Sequence, residues 1–152
     1  MAFALTSPAF ANGAVIPTRF TCDGQDLSPQ LDWTETPTSA KSFVLIVDDP
    51  DAPSGTFTHW VLFDIPGAAR SLAAGRKPGD VGLAARNDFS RIGYGGPCPP
   101  RGHGPHRYHF ALSALDIDNL GLSAGVSRHE VEAKMRGHVV GMARLMGRYE
   151  RK

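Results

Sequence analysis

Short apolar runs separated by glycine- and proline-rich turns set the pattern of this chain. Phe43 to Val47 is a continuous apolar run, and Val61 to Ile65 is another, opened by His59-Trp60 and closed by Pro66. A further apolar segment covers 108–115. Runs of this length bounded by turn signals read as buried central strands. Turn signals recur at Asn12-Gly13, Asp23-Gly24, Ser54-Gly55, Pro66-Gly67, Pro78-Gly79, Gly95-Gly96 and Gly121. Such spacing predicts a mainly β fold, a β-sandwich. Phe3 and Leu5, alternating with Ala4 and Thr6, predict a first strand. One stretch is helical in character. Ser127 can cap a helix with Glu130 three positions on, and Val131, Met135, His138, Val139 and Met142 recur at helical spacing. This predicts one helix over roughly 128–144, with a short strand after Gly147. No repeat, low-complexity stretch or linker divides the chain, so residues 1–152 read as a single domain.

Two segments break the strand pattern in a way that suggests chemistry. Gly96 to Tyr108 concentrates prolines, glycines and histidines, then runs straight into apolar sequence. Proline has a fixed φ and no N–H for a sheet ladder, so most of this segment is a stiff loop. A stiff loop delivering histidines to the mouth of a strand suits binding. Side chains alternate along the strand that follows: His106, Tyr108 and Phe110 point one way, Arg107 and His109 the other. The second segment is Asp48-Asp49-Pro50-Asp51-Ala52-Pro53, an acidic turn between the first two apolar runs. It lies at the same end of the sheet as His59. Two imidazoles, a phenol and loop N–H groups form a donor set suited to phosphate or sulfate. With His59 and His106 supplying positive charge, anion affinity is expected to rise as pH falls.

Composition narrows the partners. A formal net charge of +1 gives no reason to expect nucleic acid. No apolar run approaches the roughly 20 residues of a membrane span. Ala9-Phe10-Ala11 mimics a signal-peptidase site, but no Lys or Arg precedes it and Pro8 interrupts the apolar stretch, which points to the cytoplasm. Cys22 and Cys98 make neither a disulfide framework nor a four-ligand metal site and are expected as reduced, partly buried thiols, although both fall in motif regions. Trp33 and Trp60 read as core, His103 as a solvated loop residue, and His129 and His138 as helical.

The two segments together resemble the phosphatidylethanolamine-binding protein family, also called the Raf-kinase-inhibitor-like family, in its compact bacterial branch. The resemblance rests on Asp49-Pro50-Asp51-Ala52-Pro53, on His59-Trp60 with Asp64-Ile65-Pro66, and on Gly96 through His106-Arg107-Tyr108. Cys22-Asp23-Gly24 with Ser28-Pro29, Leu31 and Trp33 looks like the family's N-terminal pattern, and 137–149 like its ending. It implies an anion pocket lined by Asp49, His59, His106 and Tyr108, walled by Gly96, Pro99 and Pro100 and supported by Asp51 and Pro53. It also implies a cis Ala52–Pro53 bond. Asp49 and Asp51 are expected to accept loop N–H groups or orient a histidine, with the ammonium of an ethanolamine head as another partner for Asp49. The function implied is a non-enzymatic binding module for a small phosphate- or carboxylate-bearing ligand, with no cofactor and no metal. An alternative is a kinase or protease inhibitor acting through its loops, although residues 53–59 form a shorter loop than in longer family members. A homodimer is one option for its assembly. A phosphoester hydrolase is the remaining alternative, using a metal on His59, His106 and the aspartates, or a Cys98 nucleophile beside His106. No HExxH, GxSxG or GxxxxGK pattern supports it.

Overall fold

In the computed structural model, which describes residues 2–152, eight strands and one α-helix follow in chain order, with a single 3-10 turn at Thr18–Phe20. They are β1 (Ala4–Thr6), β2 (Leu31–Thr34), β3 (Ser42–Asp49), β4 (Phe57–Pro66), β5 (Ser71–Leu72), β6 (Leu83–Ala84), β7 (His106–Leu115), α1 (Arg128–Met135) and β8 (Val139–Tyr149). A three-stranded sheet runs β1-β2-β5, and a five-stranded sheet runs β6-β4-β3-β7-β8. All pairings between these strands are antiparallel.

The unbroken apolar run in β3 has a direct cause: its sheet is covered on both faces. Phe43, Leu45 and Val47 turn toward the smaller sheet and join Trp33, Leu31, Trp60, Leu62, Phe110 and Leu112 in the main core. Val44 and Ile46 turn the other way and pack with Val61, Phe63, Leu120, Val131 and Met135 beneath α1. A strand buried on both sides has no position to spare for polar residues, so period-two alternation disappears from its sequence. Both tryptophans are core residues, as their sequence setting suggested.

Ser127 caps α1 as expected. Its hydroxyl accepts from the Glu130 N–H, and the Glu130 carboxylate accepts in return from the Ser127 N–H. Arg128 holds the helix start to the sheet through Asp48 (2.8 Å) and the Thr58 hydroxyl (3.1 Å). The helix ends far earlier than its spacing predicted. Gly137 takes φ 81°, the His138 N–H bonds the Met135 carbonyl, and residues 139–149 pair with β7 instead. The apparent helical spacing of Val139 and Met142 was coincidental. The informative alternation is buried Ala143, Leu145, Gly147 and Tyr149 against outward Met142, Arg144 and Arg148. A long ladder to β7 outweighed weak helix propensity at Val139-Val140.

The Ala52–Pro53 peptide is trans, contrary to expectation; no cis bond occurs among the described residues. The Gly55 N–H donates to the Ala52 carbonyl (3.1 Å), which places Pro53 second in a tight turn where its fixed φ suits a trans peptide.

Replacing Ser127 with Ala should lower stability by about 1 kcal/mol by removing the cap. Urea unfolding should show a lower midpoint at unchanged slope, and an unmoved midpoint would mean the capping box does not hold α1 in place.

Candidate functional site

Antiparallel pairing brings the end of β3 beside the starts of β4 and β7: Asp49 lies opposite Phe57, and Asp48 opposite His109. At this end a cavity of about 180 Å³ opens between the acidic turn and the proline-rich loop. Asp49, Pro53, His59, Pro99, Pro100, His106 and Tyr108 all line it. These are the positions the two motifs pointed to, with one exception. Gly96 lies behind the wall, its N–H donating to Asp26 Oδ1 (2.8 Å), where a β-carbon would run into the Phe20 carbonyl. Its role is close backbone packing.

Asp49 is buried and both its oxygens are engaged. Oδ1 accepts the Asp51 N–H (2.7 Å) and Oδ2 accepts from His106 Nδ1 (2.6 Å). Because a carboxylate here can only accept, the hydrogen sits on His106 Nδ1. Both sequence-level roles for Asp49, capping a loop donor and orienting a histidine, are therefore filled by one side chain. Asp51 does not line the cavity. It accepts the Arg107 N–H (2.9 Å) and takes the Arg107 guanidinium bidentately through Nε (2.9 Å) and Nη2 (2.8 Å). The Arg107 hydrogen bonds hold the Asp51 carboxyl down to about 2, against partial burial. Two carboxylates on either side of Pro50 thus clamp adjacent residues of β7.

His59 departs from the expected electrostatics. Its Nδ1 lies 2.7 Å from the Gly95 carbonyl, which only accepts, so Nδ1 carries the hydrogen. Burial lowers its pKa, with the Gly95 bond opposing, so the ring is neutral at pH 7 and leaves Nε2 as an acceptor. The positive charge assigned to His59 from sequence is absent. Its position depends on a bulge: Val47 pairs with Trp60 and Asp48 with Thr58, so His59 is an extra residue in β4. The bulge re-aims the ring toward the cavity, 5.2 Å from the Tyr108 ring.

The Tyr108 hydroxyl is buried and has no hydrogen-bond partner among the described residues. Burial, with the Asp49 and Asp51 charges, raises its pKa, so it stays a donor. An unpaired buried hydroxyl costs about 1–3 kcal/mol, a penalty a ligand oxygen would relieve. His109 points away, as strand alternation required. His103 is exposed, yet its Nδ1 lies 2.6 Å from His106 Nε2, so it is more than a solvated loop residue.

Phe57 and Phe89, with Ala52, also line the cavity and were missed. Phe57 stands two residues before His59, a spacing that would have found it. Phe89 sits in a polar turn organised by buried Asn87, whose Oδ1 accepts the Phe89 and Arg91 N–H groups. Its ring packs 4.7 Å from Phe57 and 5.4 Å from His59. An aromatic residue in an otherwise polar turn was its only signal.

Cys98 also lines the cavity, and it forms a disulfide with Cys22, not the reduced pair expected. The Cys22 N–H donates to the Pro97 carbonyl (3.1 Å), and the two Cα atoms stand 5.4 Å apart, within bridging reach. A bridged Cys98 supplies no thiolate nucleophile. Among the described residues no group of three or more His, Cys, Asp or Glu is arranged to hold a metal ion. No helix there is long and apolar enough to cross a membrane.

Residues 6–150 match the family model described as phosphatidylethanolamine-binding protein. A UPF0098 protein of Aquifex aeolicus is 53% identical over 148 residues, covering 95% of this chain and 86% of that protein. A candidate phosphatidylethanolamine-binding protein homologue of Chlamydia trachomatis superposes with a TM-score of 0.91 at 38% identity, covering 99% of each chain. YbcL of Escherichia coli, described as a member of the mammalian family of that name, gives 0.92 at 31% identity over 100% of both. LppC of Mycobacterium tuberculosis, named as a candidate lipoprotein, is 39% identical over 96% of this chain and 71% of its own. A carboxypeptidase Y inhibitor at 20% identity and TM-score 0.58, covering 99% and 83%, shows the fold alone.

The Asp51–Arg107 clamp generates an acid-stability prediction. Asp51 has a folded pKa below its unfolded value, so its contribution is present above about pH 4 and is lost as pH falls toward 2. The pair is part-exposed, which limits it to about 0.5–1 kcal/mol. Asp51→Asn should lower the melting temperature at pH 6 and flatten its decline between pH 4 and 2. Parallel acid limbs in both proteins would show that the clamp adds no stability.

Proposed function

This chain belongs to the phosphatidylethanolamine-binding protein family, and on that premise we propose that it is a non-enzymatic binding module. Its cavity takes the acid group of a small phosphate- or carboxylate-bearing ligand. The observation that carries the reading is the Tyr108 hydroxyl, a buried donor with no partner among the described residues, on the wall of a cavity it shares with His59 and His106.

The polar inventory supports a particular protonation state of ligand. Tyr108 donates, while neutral His59 presents an acceptor at Nε2. Asp49 is already occupied by His106 and the turn, so its charge does not simply oppose an incoming anion. A group carrying an acceptor oxygen and an acidic hydrogen together fits best: a phosphomonoester holding one proton, phosphoethanolamine included, or a carboxylic acid. The volume, about 180 Å³, suits one head group and is below the 300–1,000 Å³ typical of drug-sized pockets. Phe57, Phe89 and the prolines give that head group apolar walls.

The hydrolase alternative loses its Cys98 nucleophile in the bridged protein. An inhibitory role through the loops gains no support from this cavity. The Cys22–Cys98 bridge and the lipoprotein-named relative favour an oxidising compartment over the cytoplasm expected from sequence.

Calorimetric titration of phosphoethanolamine should show binding that His106→Ala and Tyr108→Phe each weaken by about 1.5–3 kcal/mol, the worth of a charge-assisted hydrogen bond. His109→Ala, on the outer face, should leave it unchanged. Equal losses in all three would mean the site is misplaced. Ester hydrolysis by the parent protein that disappears in His106→Ala would replace the binding module with an enzyme.

A further inference from the structure

We propose that His103 gates this pocket: its ring occupies the one nitrogen of His106 left free by Asp49, and an incoming acid group must displace it. The proposal rests on the pocket reading above and adds how access to the site is controlled.

The argument begins with hydrogen-bond capacity. Each imidazole nitrogen makes one in-plane hydrogen bond. His106 Nδ1 is committed to Asp49 Oδ2 at 2.6 Å, and Nε2 lies 2.6 Å from His103 Nδ1. Both nitrogens are therefore saturated, and in this state His106 has nothing to offer a ligand. The two rings meet edge to face with centroids 4.9 Å apart.

Two partners hold His106, and they are not equally easy to remove. The Asp49 carboxylate is buried and is itself tied to the acidic turn. His103 is exposed and sits on a tight turn closed by its own N–H to the Pro100 carbonyl (3.2 Å). Gly102 and Gly104 flank it with φ of 74° and 84°, and open space surrounds both. Swinging the His103 side chain outward breaks one part-buried hydrogen bond and disturbs no core packing. His103 is therefore the partner that leaves. An acidic hydrogen of the ligand then takes its place, donated to Nε2, the acceptor nitrogen that the Nδ1–Asp49 bond leaves. Pro100, which begins the gate's turn, also lines the cavity, so the gate and the wall belong to one loop.

The test compares inorganic phosphate binding by the parent, His103→Ala and His103→Asn, using calorimetry and the ring signals of His59, His103 and His106 in nitrogen-15 NMR. His103→Ala removes the competitor and should bind about fivefold more tightly, the value of one modest hydrogen bond. His103→Asn keeps an amide donor near the position of Nδ1 and should behave like the parent. In the parent, phosphate should shift the His103 ring signals toward those of a solvated imidazole. Equal or weaker binding by His103→Ala overturns the gate and leaves the pocket reading standing. Failure of phosphate to move His59 or His106 in any of the proteins overturns the pocket reading, and the gate with it.

Discussion

The buried hydrogen bond between Asp49 and His106 is the contact on which the site depends. It joins residues 57 positions apart in the chain at 2.6 Å and fixes which His106 nitrogen carries hydrogen. It also consumes the carboxylate that would otherwise repel an anion. A buried carboxylate without a partner would be strongly unfavourable, and a free imidazole would be unoriented. Each group therefore makes the other tolerable. The neighbouring Asp51–Arg107 pair repeats the linkage nearer solvent, so two consecutive strand-start residues are held by one proline-stiffened turn.

That linkage works because the five-stranded sheet leaves it little freedom. Packing on both faces of β3 fixes the end of the strand from which the acidic turn departs. Antiparallel pairing then places the starts of β4 and β7 on either side of it. The Cys22–Cys98 bridge and the Gly96–Asp26 bond tie the proline-rich loop to the 20–26 segment. The cavity is what remains between two independently anchored loops, and its shape needs no induced closure of the backbone.

The electrostatic character of the site differs from a pair of imidazoliums awaiting an anion. His59 is neutral and presents an acceptor, Tyr108 is a donor awaiting a partner, and His106 is held from both sides. In the binding role proposed, recognition depends more on matching donors to acceptors than on net charge. A mismatch leaves a desolvated polar group unpaired, which penalises the wrong ligand more than a correct match rewards the right one.

Much of this was legible in the residues themselves. The apolar runs located β3, β4 and β7, strand alternation set His106 and Tyr108 on one face and His109 on the other, and the Ser127–Glu130 pair marked where α1 begins. Those features are local, governed by side-chain period and nearest-neighbour hydrogen bonds. What tertiary structure decided was of a different kind. The bulge that turns His59 inward arises from pairing with β3, because no residue near His59 signals an extra position. The end of α1 was set by competition with the β7 ladder, and the trans Ala52–Pro53 bond by the turn that closes over it. The disulfide and the Phe89 wall join positions whose distance in space the chain order does not reveal, and the His103–His106 contact, three residues apart, depends on how the loop between them turns. Periodicity determines which face a residue takes within a strand; which partner it meets there depends on how separate strands and loops are brought together.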